Sequence, residues 1–506
     1  MFSNFADAAN LFINIHIFLA IAFGTVLGLV FGALPGLTAT MGVALLLPLT
    51  YGMEPTTGMG MLLGVYCGAI SGGSIPAALL NIPGTPSSVA TTLDAFPMAQ
   101  NGEPGRALGL CIVASMIGGM ISVTVLALMS PLIASVALKF SAIEYFSLGV
   151  FGLTIIASIS DSSIIKGIVG GLVGVLISLI GIDSMTGTVR LTAGFSSLTG
   201  GVDFMPALIG LFALSQIISD VTKIHDKRGD GVNIKVSKAY PRFRETLRHW
   251  KVWSSSSFIG SLVGAIPGAG GSIASFLAYD QAKRMSKTPE KFRKGHDEGV
   301  IACESANNGM TGGALIPMMT LGIPGDAAAA ILMGGLLIHG LQPGPMLFDE
   351  QANIAYGIII AFFIANIFMF SFQAVGIKLF VRVLQIPRSY LMPFILVMCM
   401  LGAYGISGTM NAVWVLLFFG VFGYFLNRHG FSSAPVVLGM ILGYMVESNY
   451  RRGMTMHGGD WTVFFTRPIS LCFILLSVFA IALPFYRYWK HGGKNKTVES
   501  NAENPL

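Results

Sequence analysis

The side chains in this chain that could do chemistry are small hydroxyls and amides, set where glycine and proline interrupt apolar runs. Pro35-Gly36-Leu37-Thr38-Ala39-Thr40 breaks one run, and Pro267-Gly268-Ala269-Gly270-Gly271-Ser272 breaks another. Between them, Ser71-Gly72-Gly73-Ser74 leads on to Asn81, Thr85, Ser87 and Ser88; later, Asn307-Asn308 leads on to Thr311-Gly312-Gly313. A half-helix that ends inside a membrane presents free N–H groups and the positive end of its dipole. Such ends bind anions without a buried Lys or Arg, while unwound carbonyls hold cations. Hydroxyls and amides add donors for a carboxylate and acceptors for an ion's shell. The same small residues also let helices pack closely and cap broken ends, so each one taken singly keeps both readings. Glu304, just before Ser305-Ala306-Asn307-Asn308, adds a charge. A carboxylate within a membrane segment is costly and by default functional, which makes Glu304 with Asn308 the candidate holder of a cation. At the interface it would instead pair with Lys294.

Composition decides what must position these groups. The chain has 506 residues, of which 53% are hydrophobic and only 11% charged, where ordinary soluble domains are about a quarter charged. Long apolar runs recur along it, so a polytopic α-helical membrane protein is expected. The runs are continuous rather than alternating, which argues against a β-barrel. The net charge of +6 is gathered in a few loops and reports orientation, not nucleic-acid binding. Five cysteines lie in apolar segments without metal or redox spacing and read as small buried residues. No basic region precedes the first apolar run, so no cleaved leader is expected. Gly268-Ala269-Gly270-Gly271 lacks the preceding strand and acidic ribose partner of a nucleotide loop. His296-Asp297-Glu298 is not a metalloprotease motif, and His16 and His339 read as packing or interface residues. Neither an enzyme nor an organic cofactor is expected.

The stretch Ser254–Gln281 organises the rest. Its two apolar arms are each about a dozen residues, or about 18 Å as helix, against about 30 Å of hydrocarbon. Basic residues flank both sides, so the segment at about 254–281 is expected to enter from the cytoplasm, turn near mid-membrane and leave again. The first apolar unit, about 15–49, shares its motif: Gly32-Ala33-Leu34-Pro35-Gly36 against Gly264-Ala265-Ile266-Pro267-Gly268. No Lys or Arg occurs before Arg106, so this unit is expected to be a hairpin from the opposite face. Gly72-Gly73-Ser74-Ile75-Pro76 with Ile82-Pro83-Gly84 matches Gly312-Gly313-Ala314-Leu315-Ile316-Pro317 with Ile323-Pro324-Gly325, and Glu103-Pro104-Gly105 matches Gln342-Pro343-Gly344. An internal repeat of hairpin plus broken helix follows, the broken helices at about 58–82 and 300–323.

Further spans are expected near 106–128, 142–160, 164–182 and 204–221, then near 353–377, 390–406, 411–426, 435–449 and 469–486. The odd count between the hairpins inverts the second copy, giving about 11 crossings plus 2 hairpins. The first half is residues 1–222, a basic cytoplasmic loop 223–252, the second half 253–486 and a cytoplasmic tail 487–506; the N-terminus is expected outside. The loop at 84–105 should be cytoplasmic on Arg106 alone, the acidic 325–352 loop outside. Arg451, Arg452 and Arg467 fall outside, against the positive-inside rule.

At these motifs the sequence resembles the large membrane subunit (TctA-type) of the tripartite tricarboxylate transporter family. The matching stretches are Gly32 to Gly36, GGSIPAALLNIPGTP from Gly72 to Pro86, LDAFPMAQNGEPGRALG from Leu93 to Gly109, GAIPGAGG from Gly264 to Gly271, ESANNGMTGGALIP from Glu304 to Pro317, and LGIPGD from Leu321 to Asp326. The resemblance implies a multi-pass protein of the bacterial inner membrane that takes up a carboxylate with Na+ or H+. It implies two protein partners, a small membrane subunit of about four helices (TctB-type) and a periplasmic solute-binding protein (TctC-type). By likeness to inverted-repeat, elevator-type carriers it also implies a homodimer, and it carries Pro35–Thr40, Ser71–Ser74, Asn81–Ser88, Pro267–Ser272 and Asn307–Gly313 as the substrate and ion site. No basic residue stands in the GGSIP…IPGTPSS stretch, so a mono- or dicarboxylate is as compatible as a tricarboxylate. A passive channel for carboxylates is the alternative, distinguished by flux independent of an ion gradient.

Overall fold

The computed structural model describes residues 2–158, 164–183, 185–222, 245, 248–383 and 388–490. Most of the basic 223–252 loop, Asp161 and the tail beyond Lys490 lie outside the described residues. The described chain is helical, with one short pairing of Gly181–Ile182 against Val189–Arg190. Among the described residues, six helices are long and apolar enough to cross a membrane: Ile15–Ala33, Pro55–Leu80, Pro104–Ala137, Phe204–Val221, Ala352–Arg382 and Met410–Arg428. Shorter apolar helices, among them Ala142–Ile155, Ile165–Ser178 and Pro468–Ala482, stand at other expected spans. Asp297–Leu321, with 25 residues, is long enough but carries four Gly, two Asn and three acidic residues. Gly299 to Thr320 are buried throughout, so protein rather than lipid surrounds it, and an apolar surface is not required there.

Glycines set the spacing between helices. A Cβ on Gly24, Gly28 or Gly32 would sit within 2.3 Å of the carbonyl oxygens of Met61, Val65 and Ala69, so Ile15–Ala33 and Pro55–Gly72 touch backbone to backbone. Trp250–Gly264 and Asp297–Leu321 meet in the same manner, since a Cβ on Gly260 or Gly264 would sit 2.3 Å from the Ala306 or Met310 carbonyl oxygen. The loops that follow also match. Gly84 N–H donates to the Gly73 carbonyl at 3.2 Å and Gly325 N–H to the Ala314 carbonyl at 3.3 Å. Ile82 N–H donates to the Pro76 carbonyl and Ile323 N–H to that of Pro317. The residue before each isoleucine is left-handed, Asn81 at φ 56° and Gly322 at φ 69°. Equivalent motifs therefore take equivalent backbone hydrogen bonds.

Several boundaries differ from the sequence expectation. The first hairpin has unequal arms, the 19-residue Ile15–Ala33 and the 8-residue Ala39–Leu46 continued by a 3₁₀ turn at Leu47–Thr50. Its first arm alone is long enough to cross. The two copies differ at their paired glycines: a one-residue interruption at Gly73, right-handed at φ −59°, separates Pro55–Gly72 from Ser74–Leu80, whereas Gly312-Gly313 lie inside the unbroken Asp297–Leu321. Both copies leave helix fully at Asn81–Gly84 and Gly322–Asp326. The paired glycines serve close approach, since a Cβ on Gly313 would lie 2.2 Å from the Ser261 carbonyl. The acidic stretch 325–352 is no simple loop; it contains the apolar helix Ala327–Ile338, buried from Ala328 to Leu336. Cys472 is exposed, unlike the other four cysteines.

The charged ends are tied together. Asp94 accepts from the Tyr279 hydroxyl at 2.8 Å and from the backbone N–H groups of Gly295 and His296. Arg106 pairs with Asp297 at 2.6 Å, so the 92–106 segment and the basic stretch before Asp297 share one end of the molecule. Asp280 pairs with Arg284 at 2.7 Å. Elsewhere, Arg451 bonds to Asp183 and lies 2.8 Å from Glu447, while Arg190 grips Glu447 at 2.5 and 2.6 Å. Arg467 pairs with Glu144 at 3.1 Å. Two of the three arginines that the expected topology places outside are thus neutralised within the chain.

The Met185 backbone N–H, with Arg451 and Thr186 acting against partial desolvation, holds the Asp183 carboxyl well below its ordinary value. A lowered carboxyl contributes stability that is fully present above its unfolded pKa of about 4 and lost as pH falls through the folded value. We therefore expect the thermal midpoint of Asp183→Asn to be lower than wild type at pH 7. The two should converge only well below pH 4, measured as paired melts in detergent.

Candidate functional site

One cavity of about 300 Å³ gathers the interrupted segments. Thr38, Ala39 and Thr40 of the first hairpin line it, as do Gly268 to Ile273 of the second. Thr85, Pro86 and Ser87 come from the turn after the first long helix, and Asp326 to Ala328 from the matching place after the second. Three helix N-termini open onto this space. Ala39–Leu46 is capped by Thr38, whose hydroxyl accepts from Met41 N–H at 3.1 Å. Ala327–Ile338 is capped by Asp326, which accepts from Ala329 N–H at 2.7 Å. Gly270–Met285 carries no side-chain cap, so its first N–H groups are free for a ligand. Gly270 sits at φ 66°, a left-handed turn that glycine takes without strain.

The two halves touch across this cavity. The Ser272 hydroxyl donates to the Pro86 carbonyl at 2.9 Å, and the hydroxyls of Thr85 and Ser87 stand 3.1 Å apart. Among the described residues lining the cavity there is no Lys, Arg or His. Positive potential here comes from helix ends alone.

The other sequence candidates stand away from the lining. Pro35 and Gly36 form the first hairpin's turn, with Gly36 at φ 93°. Ser71 donates to the Gln373 side-chain carbonyl at 2.8 Å, and Ser74 donates to the Ser71 carbonyl. Gly72 packs against Leu29 and Gly73 against Thr85, where a Cβ would meet atoms at 2.8 and 2.6 Å. Asn81 is exposed and acts through its left-handed backbone. Ser88 shares a capping box with Thr85. Thr311 donates to the Asn308 carbonyl, and Gly312 gives room to Ser122.

Glu304 is fully buried, not at an interface. It accepts from the Thr91 hydroxyl at 2.5 Å and from the Ser115 hydroxyl at 3.1 Å. The Asn308 amide donates to Ser115 at 2.8 Å and lies 3.5 Å from the Glu304 carboxylate. Asn307 is also fully buried, yet neither amide atom has a hydrogen-bond partner. It stands beside Glu304 without bonding geometry, and its amide oxygen would be 3.0 Å from a Cβ on Gly271. One side chain therefore lies between the cavity wall and the buried carboxylate.

A family model described as "Tripartite tricarboxylate transporter TctA family" matches residues 18–438. The chain belongs to the TctA family. A 52.8 kDa protein of the TAR-I ttuC' 3' region of Agrobacterium vitis is 37% identical over 463 residues, covering 91% of this chain and 92% of that protein. A protein of the TAR-II ttuC' 3' region of the same organism is 37% identical over 224 residues, covering 44% of this chain and 93% of that protein. No solved structure matches the chain.

Within this TctA-family chain the cavity also uses residues that sequence reasoning missed. Asp326 lines it and accepts from the Tyr66 hydroxyl at 3.0 Å. The signal was present: the offset that carries Pro76 to Pro317 carries Thr85, a named candidate, to Asp326. Phe212, on the π-turn Gly210–Leu214, and Ser432 with Pro435 also line it. No motif in the sequence marks those.

Proposed function

We propose that this TctA-family membrane protein is the large subunit of a tripartite, solute-binding-protein-dependent carrier that takes up a mono-, di- or tricarboxylate with Na+ or H+. The observation that carries this reading is the convergence of three helix N-termini and several hydroxyls on one cavity without a basic side chain. A carboxylate is the anion such donors fit, because each oxygen takes backbone N–H and O–H bonds. The matched backbone hydrogen bonds of the two halves support an inverted repeat with two re-entrant hairpins, moving as an elevator-like transport unit in a homodimer. Glu304 with Asn308 is the proposed seat of a coupling ion. A TctB-type subunit and a TctC-type binding protein would complete the assembly in a bacterial inner membrane, with the C-terminus cytoplasmic and the N-terminus periplasmic.

Asn307→Ala gives the cleanest test, because the amide it removes makes no hydrogen bond within the protein. Removing an unsatisfied buried amide is neutral or stabilising for folding, so a fall in uptake reports binding. We expect initial uptake of a carboxylate, with its binding protein present, to drop at least about tenfold, because this amide backs the Gly271 tip that lines the cavity and its loss lets the tip shift. Ser272→Ala is expected to act in the same direction. Normal uptake in both variants rejects this cavity as the substrate site.

A further inference from the structure

We propose that Asp326 holds a compensating cation inside the cavity, a site separate from the Glu304 cluster. This deepens the carboxylate reading and rests on it for its physiological meaning. Asp326 is the one ionisable side chain among the described residues that line the cavity. Its carboxylate takes one bond from Ala329 N–H and one from the Tyr66 hydroxyl, both neutral donors. A carboxylate oxygen pair has about four lone-pair sites, so acceptor capacity remains on the half-buried group. An anionic substrate in the same small space would face that charge across a medium of low dielectric, where like charges repel strongly. Helix ends alone would then be opposed by an acid placed among them. A cation between the two carboxylates removes the conflict.

The surroundings fit such an ion. Thr38, Thr40, Thr85 and Ser87, each bearing a hydroxyl, line the same cavity, and neutral oxygen donors with a single carboxylate suit a small hard monovalent cation. No group of three or more His, Cys, Asp or Glu stands together among the described residues, so a transition-metal cage is not what the donors form. The groups facing Asp326 are few. Tyr66 faces it from Pro55–Gly72, and neither hairpin tip, the Pro86–Ser88 turn nor the Ser432–Leu438 stretch adds a titratable side chain to the cavity. The cation is therefore Na+ or a proton on the Asp326 carboxylate.

The test uses the purified full chain in detergent without any carboxylate. Binding of radiolabelled Na+ is measured against choline at fixed ionic strength, alongside the pH dependence of the thermal midpoint, with Glu304→Gln in every chain so that the Glu304 cluster contributes no ion; wild type here is that chain with Asp326 intact. Asp326→Asn keeps the helix cap, since Asn caps as well as Asp, and Asp326→Glu is the second variant should Asn fold poorly. If the ion is Na+, wild type shows saturable binding that weakens at least about tenfold in Asp326→Asn, the loss of one unit charge. If it is a proton, wild type binds no Na+ saturably, and a step in the midpoint against pH disappears in Asp326→Asn. The same two readouts are taken on Asp326→Glu, which keeps the charge and should keep the isotherm or the step with a shifted midpoint. Wild-type Na+ binding and wild-type pH dependence in Asp326→Asn overturn the proposal. Because no substrate is present, unaltered uptake in Asn307→Ala and Ser272→Ala would remove the substrate reading and leave this result standing.

Discussion

Gly271→Ala is expected to abolish carboxylate uptake while the protein still inserts and folds. A Cβ at Gly271 would lie 2.5 Å from the Ser87 Cβ, 2.9 Å from the Met310 methyl and 3.0 Å from the Asn307 amide oxygen. The Met310 end can swing aside, but Ser87 sits in the turn held by the Thr85–Ser88 capping box. The hairpin tip must therefore withdraw from the turn it faces. Gly271 is in the first turn of a helix, where alanine is the better helix former, so backbone propensity does not oppose the change. Loss would come from geometry: a misplacement of about 1 Å in a positioning group costs roughly a hundredfold. Gly270→Ala is the internal control. Nothing lies within 4 Å of its Cβ, but its φ of 66° is left-handed, so it should cost about 1 kcal/mol or more of local strain without pushing the halves apart. Initial rates at matched membrane levels should fall much further for Gly271→Ala; equal rates would mean that the tip and the turn do not form one site.

Much of this arrangement was legible because glycine and proline are placed by backbone geometry. Pro35-Gly36 and Pro267-Gly268 mark turns that both structure and motif share, and the matched prolines of the two long helices lead to matched left-handed residues. Hydrophobic runs located the helices, since Leu, Ile and Phe facing lipid leave a continuous signal. What the sequence hid was the role of each glycine. Gly312-Gly313 look like a helix break and are a contact surface, whereas Gly73 both interrupts its helix and packs against Thr85. A glycine that lets a carbonyl approach and one that ends a helix have the same letter, and only the neighbour distinguishes them. Asp326 was misread for a related reason. Next to an apolar helix mistaken for a loop, its charge counted toward an outer face, whereas its carboxylate caps that helix and turns to the cavity.

The buried carboxylate behind Asn307 carries the second large expected effect, and two substitutions separate its structural work from its charge. Glu304→Leu leaves the Thr91 and Ser115 hydroxyls without their acceptor, while the Asn308 amide keeps Ser115 and the backbone carbonyl of residue 304. Each buried orphan costs about 1–3 kcal/mol against a total stability of about 5–15 kcal/mol, so folded protein recovered from membranes should fall steeply. Glu304→Gln retains an acceptor oxygen and the shape, and either hydroxyl can rotate to accept from the new N–H₂; normal yield is expected. The charge, however, is gone. If Glu304 and Asn308 carry the coupling ion, Glu304→Gln binds substrate and exchanges it across the bilayer but no longer accumulates it against a gradient. Asn307 gives this a physical path, since the same amide backs the Gly271 tip and stands beside the carboxylate. A change of charge at Glu304 can therefore be felt at the cavity through one side chain. Counterflow that persists in proteoliposomes while ion-driven accumulation is lost would assign coupling to this carboxylate. Accumulation at the wild-type level would leave Glu304 as the acceptor that holds Thr91, Ser115 and Asn308 in place, with the coupling ion elsewhere.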